Sequence, residues 1–334
     1  MSVRKAVVIG INHYNHLPAL SGCVNDARSV AVALEEHYDG NSNFLQPLLM
    51  VADSASSAIS KSDIKTAARE LFEDQSEVAL FYFAGHGYLE DESSGYLCSS
   101  ECQAGDDGVL MADIMRMASR SPASNKVVIL DSCHSGLAGN RDGVDDVAEM
   151  KEGMTVLTAS TAQQSSYEVS GGGAGVFTSL LLDALNGAAA NLTGDVTPGS
   201  VYAHIDQSLG NYGQRPLFKT NVRRFISLRR AMPPIAREDL KQLSTHFPTP
   251  DYCLQLDPSF EPKRSSDQIA NSSIPPPNPI NTEIFGVLQK YVKVNLVRPI
   301  GTTHMYDAAM ESRSCELTVL GRHYRDLVAK RLLR

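Results

Sequence analysis

The sequence contains VALFYFAGHG at Val78–Gly87 and KVVILDSCHSG at Lys126–Gly136, and these two stretches decide the predicted fold. Each is a short apolar run of the kind that forms a buried strand. The first ends at His86 and the second at Cys133, two side chains that can take part in catalysis. In an open α/β sheet, ligands bind at the carboxyl ends of the strands, so a histidine and a cysteine placed there can share one site. The pair therefore predicts a cysteine hydrolase.

Strands and helices alternate on both sides of these stretches. Short apolar runs predict further strands at Ala6–Ile11, Leu48–Ala52 and Met154–Ala159, and a last one within Gln214–Leu228. Apolar residues at helical spacing predict helices near Asp26–Glu36, Lys61–Phe72, Met111–Ser119 and Val176–Leu185. Such alternation implies right-handed crossovers, and hence an α/β fold with a mostly parallel central sheet.

The chain changes character near residue 228. Residues 229–280 hold ten of the sixteen prolines, which predicts an extended linker with an ordered anchor near Tyr252–Pro262. Beyond it, apolar residues recur at helical spacing in Glu283–Asn295 and again from Leu317 to Val328. We therefore predict an α/β domain over 1–228, a linker over 229–280, and a small, mainly helical, winged-helix-like domain over 281–334.

Composition and charge exclude several classes of protein. No stretch approaches the roughly 20 apolar residues of a membrane-spanning helix, and the amino terminus shows no signal-peptide pattern, so a cytoplasmic location is expected. The six cysteines form no zinc-type double pair, and we expect ordinary thiols; a metal or disulfide at Cys98 and Cys102 is the alternative. Residues 1–228 carry 15 Lys and Arg against 27 Asp and Glu, which favours cationic substrates, whereas residues 229–334 carry 15 against 11.

The chemistry of a Cys–His pair requires an activated thiol. A free thiol has a pKa near 8.5, so a neighbouring imidazole that accepts its proton makes the thiolate available. We expect His86 to serve Cys133 in this way, with a backbone carbonyl orienting the imidazole. The backbone N–H groups of Gly87 and Cys133 are the expected oxyanion donors, because the glycine leaves a substrate carbonyl free to approach. A single histidine or cysteine after a strand is more often structural than catalytic. His86 and Cys133 both follow apolar strands and lie near glycines, and this match favours a catalytic dyad.

The sequence resembles the caspase and metacaspase superfamily of cysteine peptidases, and specifically its bacterial metacaspase-like branch. Five motifs carry the resemblance: AVVIGINHY, LSGCVNDA at Leu20–Ala27, FYFAGHG, VVILDSCHSG and GVFTSLLLDAL at Gly175–Leu185. A histidine about 50 residues before the catalytic cysteine is typical of caspases, and here the separation is 47 residues. The resemblance covers residues 1–228 and implies a caspase-like three-layer sandwich and a cysteine endopeptidase that needs no cofactor.

The resemblance also implies a substrate class. Metacaspase-like proteins place acidic residues in the substrate pocket, and Asp26 and Asp131 occupy the matching positions. Two carboxylates favour a protein or peptide substrate with Arg or Lys before the scissile bond. In the alternative, Asp26 caps a helix and Asp131 orients nearby backbone. Ala84 departs from the pattern, which often has serine there, so the choice of Arg over Lys stays open.

Two further family properties depend on acidic and basic residues. Calcium-activated metacaspases carry an aspartate cluster, and Asp106, Asp107 and Asp113 lie in the matching region, but Ala112 interrupts the pattern and a turn explains it equally well. We therefore predict no metal.

Family members are often cut after the nucleophile strand, where this chain has Arg141 and Lys151. The alternative is an uncleaved surface loop.

The carboxyl-terminal part resembles the sensing modules to which bacterial caspase-like proteases are fused, many of them effectors in antiphage defence or regulated cell death. This implies a regulated protease switched by a companion sensor protein or a nucleotide second messenger. The candidate phosphate contacts are Arg313, Arg322, His323 and Arg325, and a solvated basic surface is the alternative. A catalytically silent scaffold and a DNA-binding regulator are the competing classes, although the tail lacks the dense basic patch that nucleic acid requires.

Overall fold

A computed structural model describes residues 3–90, 95–132, 150–159, 175–210 and 216–333. Cys133, Arg141 and the other residues outside these ranges are not described. The chain forms two compact units, Met1–Met232 and Pro233–Arg334. In the described residues, no helix combines the length and the apolar character that crossing a membrane requires.

The first unit is built on a six-stranded sheet. Its strands are β1 (Arg4–Ile11), β2 (Leu48–Ala52), β3 (Val78–Ala84), β7 (Asn125–Asp131), β8 (Met154–Thr158) and β10 (Leu217–Asn221). They follow the order β10–β8–β7–β3–β1–β2, and every pairing is parallel except that of the edge strand β10 with β8. The prediction of a mostly parallel α/β sheet is confirmed.

Small sheets flank the central one. A three-stranded antiparallel sheet, in the order β4–β5–β6, follows directly after β3 and His86, and a two-stranded sheet pairs β9 with β11. These strands are β4 (Gly87–Leu89), β5 (Gly95–Leu97), β6 (Val109–Leu110), β9 (Asp195–Val196) and β11 (Arg229–Arg230). Runs of two or three residues are too short to give a periodic signal, so the sequence analysis missed all five.

Helices cover both faces of the central sheet. Side chains of α2 and α3 form one core with Ile9 and Phe81, and side chains of α1, α4 and α5 form the other with Val8 and Tyr82. The helices are α1 (Cys23–Glu35), α2 (Lys61–Glu73), α3 (Met111–Arg120), α4 (Val176–Asp183) and α5 (Pro198–Leu209). Adjacent residues of a strand point to opposite faces, so strands buried on both faces read as continuous apolar runs. The expected three-layer sandwich is confirmed.

The prediction of an extended linker over 229–280 is wrong for most of its length, because the second unit begins at Pro233. Residues 233–280 of the predicted linker belong to this unit, and the start of the predicted linker, β11, pairs with β9 of the first unit. The elements of the second unit are α6 (Arg237–Lys241), α7 (Leu243–His246), β12 (Leu254–Gln255), α8 (Ser266–Ala270), α9 (Pro279–Lys293), β13 (Val297–Pro299), α10 (Met305–Met310), β14 (Ser314–Leu317) and α11 (Val319–Ala329). Two prolines of this stretch stand in the first turn of a helix, Pro258 in a short 3-10 helix and Pro279 in α9, a position that proline favours.

The second unit also contains a sheet. β12 and β13 both pair antiparallel with β14, which lies between them. Helix α9, predicted over Glu283–Asn295, and α11, predicted near Leu317–Val328, are present with shifted ends. The unit is thus mainly helical, as expected, with a three-stranded sheet that sequence periodicity did not indicate.

Candidate active site

His86 follows the carboxyl end of β3, and a backbone carbonyl fixes its ring. Its Nε2 lies 2.8 Å from the carbonyl oxygen of Pro18. A carbonyl oxygen only accepts, so Nε2 carries the hydrogen and Nδ1 is left as the basic nitrogen. A backbone carbonyl is the predicted orienting group, and Pro18 supplies it.

Tyr14 holds the backbone of His86. The backbone N–H of His86 donates to the Tyr14 hydroxyl at 2.8 Å, and the two rings lie 4.7 Å apart between centroids. Burial raises the pKa of Tyr14 well above its usual value, so the hydroxyl remains uncharged. Gly85 leaves room for this contact, because a Cβ there would lie 2.6 Å from the Tyr14 hydroxyl oxygen.

The loop that carries Tyr14 and Pro18 is itself anchored. The N–H of Asn15 donates to the carbonyl of Ser100 at 2.8 Å, and the N–H of Leu20 donates to the carbonyl of Asn12 at 2.9 Å. The side chain of Asn12 also accepts from the N–H of Val24 in the first turn of α1, at 3.3 Å. These bonds tie the loop that carries the Pro18 carbonyl to the turn after β5 and to α1, and so hold the imidazole in its orientation.

Strand β7, which leads to the cysteine, lies beside the histidine strand. β3 and β7 pair in parallel with Ala84 opposite Asp131, and the N–H of Gly85 donates to the carbonyl of Asp131 at 3.3 Å. The description of this strand stops at Ser132, and Cys133 lies outside it. The two strands therefore end at the same level, as the sequence analysis expected.

Gly87 begins β4, directly after the histidine. It pairs with Leu97 of β5, and the N–H of Cys98 donates to the carbonyl of His86 at 3.0 Å. That bond makes Gly87–Leu97 a non-hydrogen-bonded pair, in which the N–H of Gly87 points away from β5. The pairing of β4 with β5 thus does not use the N–H of Gly87, which can donate to another acceptor.

Asp26 lies inside helix α1 and does not cap it. The helix begins at Cys23 after Gly22, and the Asp26 carboxylate accepts from the N–H of Gly175 at 3.0 Å. The side chain is only 2% exposed. The alternative of a simple N-cap is therefore wrong: this carboxylate binds the start of a different helix, α4.

Asp131 ends β7 and receives a side-chain hydrogen bond from the same helix. The hydroxyl of Thr178 lies 2.7 Å from Asp131 Oδ2, and the Tyr82 hydroxyl lies 2.6 Å from the Thr178 hydroxyl. The alternative role predicted for Asp131 was to orient nearby backbone. This contact is instead with the side chain of Thr178.

The two predicted pocket carboxylates face each other across Gly175. A Cβ built there would lie 3.1 Å from Asp131 Oδ2 and 3.4 Å from Asp26 Oδ2. The structure thus brings together the two acidic residues that the sequence analysis paired. A cation of the size of a guanidinium could pair with both.

The aspartates of the possible calcium region have other roles. The Asp107 carboxylate accepts from the backbone N–H groups of Gln103 and Gly105, at 2.8 and 3.1 Å, and closes a turn. Asp113 forms ion pairs with Lys65 and Arg116, each at 3.1 Å. Within the described ranges no group of three or more potential ligands fits a metal ion.

The cysteines that the structure describes are free thiols. Cys98 and Cys102 are both buried, and a hydrogen bond from Cys98 is the largest effect lowering the pKa of the Cys102 thiol. The disulfide alternative for this pair is therefore wrong, since both thiols are free.

The second unit has a cavity of about 740 Å³ at the start of α11. Arg322 and His323, two of the four predicted phosphate contacts, line this cavity together with Arg298. Arg298 and Arg322 pair with Glu316 and Asp251, at 2.7 and 3.2 Å.

The other two predicted phosphate contacts are engaged elsewhere. Arg325 donates to the carbonyls of Phe247 and Pro248, and Arg313 pairs with Glu311 at 2.6 Å and donates to the carbonyl of Gly301. The structure thus brings Arg322 and His323 together in one cavity and leaves Arg313 and Arg325 out of it.

Three residues near the site were missed by the sequence analysis. Tyr14, Tyr82 and Thr178 all lie inside the motifs quoted for the resemblance, but their hydroxyl groups act through contacts of 72 to 96 residues in sequence separation. No periodic pattern signals such contacts. The available signal was polarity alone: a threonine in the apolar run GVFTSLLL, a tyrosine in the otherwise apolar strand β3, and a tyrosine in the loop after β1.

Comparison with known proteins agrees with this architecture. The model of a family described as "Caspase domain" matches residues 3–226. The chain is 31% identical over 144 residues to Metacaspase-6 of Arabidopsis thaliana and 30% identical over 178 residues to Metacaspase-4 of the same plant. These matches cover 40% and 50% of this chain, and 38% and 40% of the two relatives. The chain thus matches about two fifths of the length of these metacaspases.

Solved structures of low sequence identity align with about two thirds of the chain. Protein GSU0716 from Geobacter sulfurreducens aligns with 69% of this chain and 98% of its own length, at a TM-score of 0.48 and 16% identity. Caspase-1 from Spodoptera frugiperda aligns with 69% of this chain and 92% of its own length, at a TM-score of 0.45 and 12% identity. The match over residues 3–226 decides the assignment: this chain belongs to the caspase-domain family.

Proposed function

We propose that this protein is a cysteine endopeptidase in which Cys133 is the nucleophile and His86 the general base. One observation carries the proposal: the hydrogen bond from Nε2 of His86 to Pro18 leaves Nδ1 as a proton acceptor at the end of β3. Ser132 ends the described part of the adjacent strand, and Cys133 is the next residue. The family membership supports the same assignment.

The proposed cycle uses these two side chains and water. His86 takes the proton of the Cys133 thiol, and the thiolate sulfur forms a bond to the carbonyl carbon of the peptide. The protonated imidazole then gives its proton to the leaving amine as the C–N bond breaks. Water, deprotonated by His86, attacks the thioester carbonyl, and the thiol is released with a new carboxylate on the substrate.

The oxyanion formed in each step needs nearby donors. We assign this role to the backbone N–H groups of Gly87 and Cys133. The direction of the Gly87 N–H, away from β5, supports its part in this assignment. Such donors lower the barrier by stabilising charge that develops only in the transition state.

The substrate class follows from the two carboxylates. We propose that Asp26 and Asp131 bind Arg or Lys before the scissile bond in a protein or peptide substrate. Their common approach to Gly175 supports a shared cationic ligand. Ala84, buried at the end of β3, has no polar side-chain group to offer the substrate, so the proposal covers Arg and Lys alike.

A peptide panel tests the proposal. Fluorogenic peptides with Arg, Lys or Asp before the scissile bond are assayed with the wild type, Cys133→Ala and His86→Ala. We expect turnover of the Arg and Lys peptides by the wild type only. Retained turnover by Cys133→Ala refutes the nucleophile, and a preference for Asp refutes the pocket. A catalytically silent scaffold or a DNA-binding regulator predicts no turnover by any form, and a DNA-binding assay separates those two.

We further propose that the second unit senses a signal that switches the peptidase on, and that the protein acts as an effector in defence against phage or in regulated cell death. The cavity lined by Arg298, Arg322 and His323 supports an anionic signal such as a nucleotide, which would compete with Glu316 and Asp251 for the two arginines.

Calorimetry on the full chain with ATP and with inorganic phosphate tests the sensing role. Arg322→Gln should weaken binding, whereas Arg313→Gln, outside the cavity, should not; equal loss in both contradicts the site. Phage plating on cells that express the wild type or Cys133→Ala tests the defence role: equal plating contradicts it.

A further inference from the structure

A chain of two hydroxyl groups ends on the carboxylate of Asp131. Tyr82 Oη lies 2.6 Å from Thr178 Oγ1, and Thr178 Oγ1 lies 2.7 Å from Asp131 Oδ2. An ionised carboxylate only accepts, and a hydroxyl has one hydrogen to donate. Thr178 therefore donates to Asp131 and accepts from Tyr82, and we call this arrangement the hydroxyl relay.

The direction of the hydroxyl relay is fixed by burial. Tyr82 and Thr178 are both fully buried. Burial, and after it the negative charges of Asp131 and Asp26, raise the pKa of Tyr82 well above its usual value, so its hydroxyl keeps the hydrogen that it donates. Removing either hydroxyl would leave a buried polar partner unsatisfied.

One helix turn holds both acidic residues. The backbone N–H of Gly175, at the start of α4, donates to Asp26, and Thr178, three residues later, donates to Asp131. The helix contributes a backbone donor to one carboxylate and a side-chain donor to the other. One oxygen of each carboxylate, Asp26 Oδ2 and Asp131 Oδ2, is thus held by the same turn.

We infer that Thr178, supported by Tyr82, is a positioning residue that determines how strongly the site selects a cationic residue before the scissile bond. The inference rests on the proposed function, in which Asp26 and Asp131 bind that cation. Thr178 acts through Asp131 and not on the reacting atoms. Loss of its hydroxyl should therefore change the choice of substrate far more than the chemical step.

Two peptides that differ only in charge test this inference. One carries Arg before the scissile bond and the other carries citrulline, which has nearly the same shape without the charge. The ratio of their kcat/KM values measures selectivity for the cation. It is determined for the wild type, Thr178→Val, Thr178→Ser and Tyr82→Phe. Thr155→Val is the matched control: Thr155 is buried and its hydroxyl bonds to Thr220 at 3.0 Å, but it lies at the opposite end of the sheet.

Thr178→Val should lower the Arg-to-citrulline ratio by about tenfold, since hydrogen bonds to charged groups are the strong ones. Its kcat/KM for citrulline should stay within about threefold of the wild type, because the reacting groups are untouched. The acid limb of the pH profile for the Arg peptide should move to higher pH, because the lost donor favoured the charged carboxylate. Thr178→Ser and Thr155→Val should retain the wild-type ratio, and Tyr82→Phe should lower it by a smaller factor.

The inference is overturned if folded Thr178→Val keeps both the ratio and the acid limb of the wild type, or if Thr178→Ser is as impaired as Thr178→Val. If Thr178→Val does not fold, Tyr82→Phe provides the test instead. An unchanged Arg-to-citrulline ratio in Tyr82→Phe then overturns the inference. A wild type that cleaves the Arg and citrulline peptides equally well refutes the proposed substrate class instead, and the inference with it. The two failures are thus distinguished by the wild type alone.

Discussion

Nε2 of His86 lies 2.8 Å from the carbonyl oxygen of Pro18. This single contact decides which nitrogen of the imidazole can accept a proton, because Nε2 already carries one. It joins two segments 68 residues apart, the loop after β1 and the turn after β3. The chemistry proposed for the site therefore depends on a loop that contributes no reacting side chain.

Replacing Tyr14 by Phe should impair the peptidase while keeping the fold. The variant leaves the part-buried N–H of His86 without its acceptor, which costs about 1 kcal/mol of unfolding free energy. We expect kcat/KM to fall at least tenfold as the histidine turn loosens. Urea denaturation and peptide kinetics measure the two effects. Unchanged kinetics in a folded Tyr14→Phe protein would show that this contact does not position His86.

Adding a methyl group at Gly85 should have a similar effect. The new Cβ would lie 2.6 Å from the Tyr14 hydroxyl, closer than real contacts allow, so the tyrosine must move. We expect a large loss of turnover in Gly85→Ala. Gly286→Ala is the control, because Gly286 lies within α9 with open space around it, and alanine there should leave turnover unchanged and stability equal or slightly higher. Equal turnover in the two variants would argue against the prediction.

Removing one negative charge from the pocket should reduce cleavage after Arg. Asp26→Asn keeps the shape of the side chain and an oxygen that can accept from Gly175, but it loses the charge. We expect kcat/KM for an Arg peptide to drop by at least tenfold, with KM rising more than kcat falls. Asp39→Asn, at an exposed position, is the control. A pocket role for Asp26 is ruled out if the two variants cleave the Arg peptide alike.

Alkylation of the folded protein should discriminate among its thiols. Cys253 is exposed, whereas Cys23, Cys98, Cys102 and Cys315 are buried. Burial raises the pKa of Cys315 to about 12, so at pH 8 it stays protonated and unreactive. We expect iodoacetamide to label Cys133 first and Cys253 more slowly, as read by peptide mass spectrometry. Early labelling of Cys315 would contradict the described packing of β14.

Self-cleavage after β7 gives a prediction about Arg141, which lies outside the described ranges, and Lys151, an exposed residue within them. If the peptidase cuts after basic residues, Arg141 and Lys151 are candidate sites close to the nucleophile in sequence. Purified wild type should then show fragments that Cys133→Ala lacks. Arg141→Gln combined with Lys151→Gln should abolish them. Unchanged banding in the double variant would exclude cleavage at these residues.

Much of the fold was predictable because buried parallel strands leave a strong signal. β3 is buried at every position and reads as VALFYFA. The edge strand β2 is more exposed, but it is apolar throughout and matches its predicted bounds of Leu48–Ala52. The linker was misread for an equally physical reason. Its prolines suggested an extended chain, but β12 is only two residues long and is held by its pairing with β14. Proline content measures local stiffness and not tertiary pairing.

The site was predictable only in part for a related reason. His86 and the two acids, Asp26 and Asp131, stand in motifs with a recognisable context. The contacts of Pro18 and Thr178 depend instead on how a loop and a helix pack on the sheet. A main-chain carbonyl has no sequence signature, and a threonine in an apolar helix is equally compatible with simple packing.

A covalent trap tests the central claim most directly. A peptidyl-arginine acyloxymethyl ketone should form one adduct per chain, located by mass spectrometry on Cys133, and its rate of formation should fall at least a hundredfold in His86→Ala. An adduct on another cysteine, or labelling of Cys133 at an undiminished rate without the imidazole, would contradict the proposed Cys133–His86 pair.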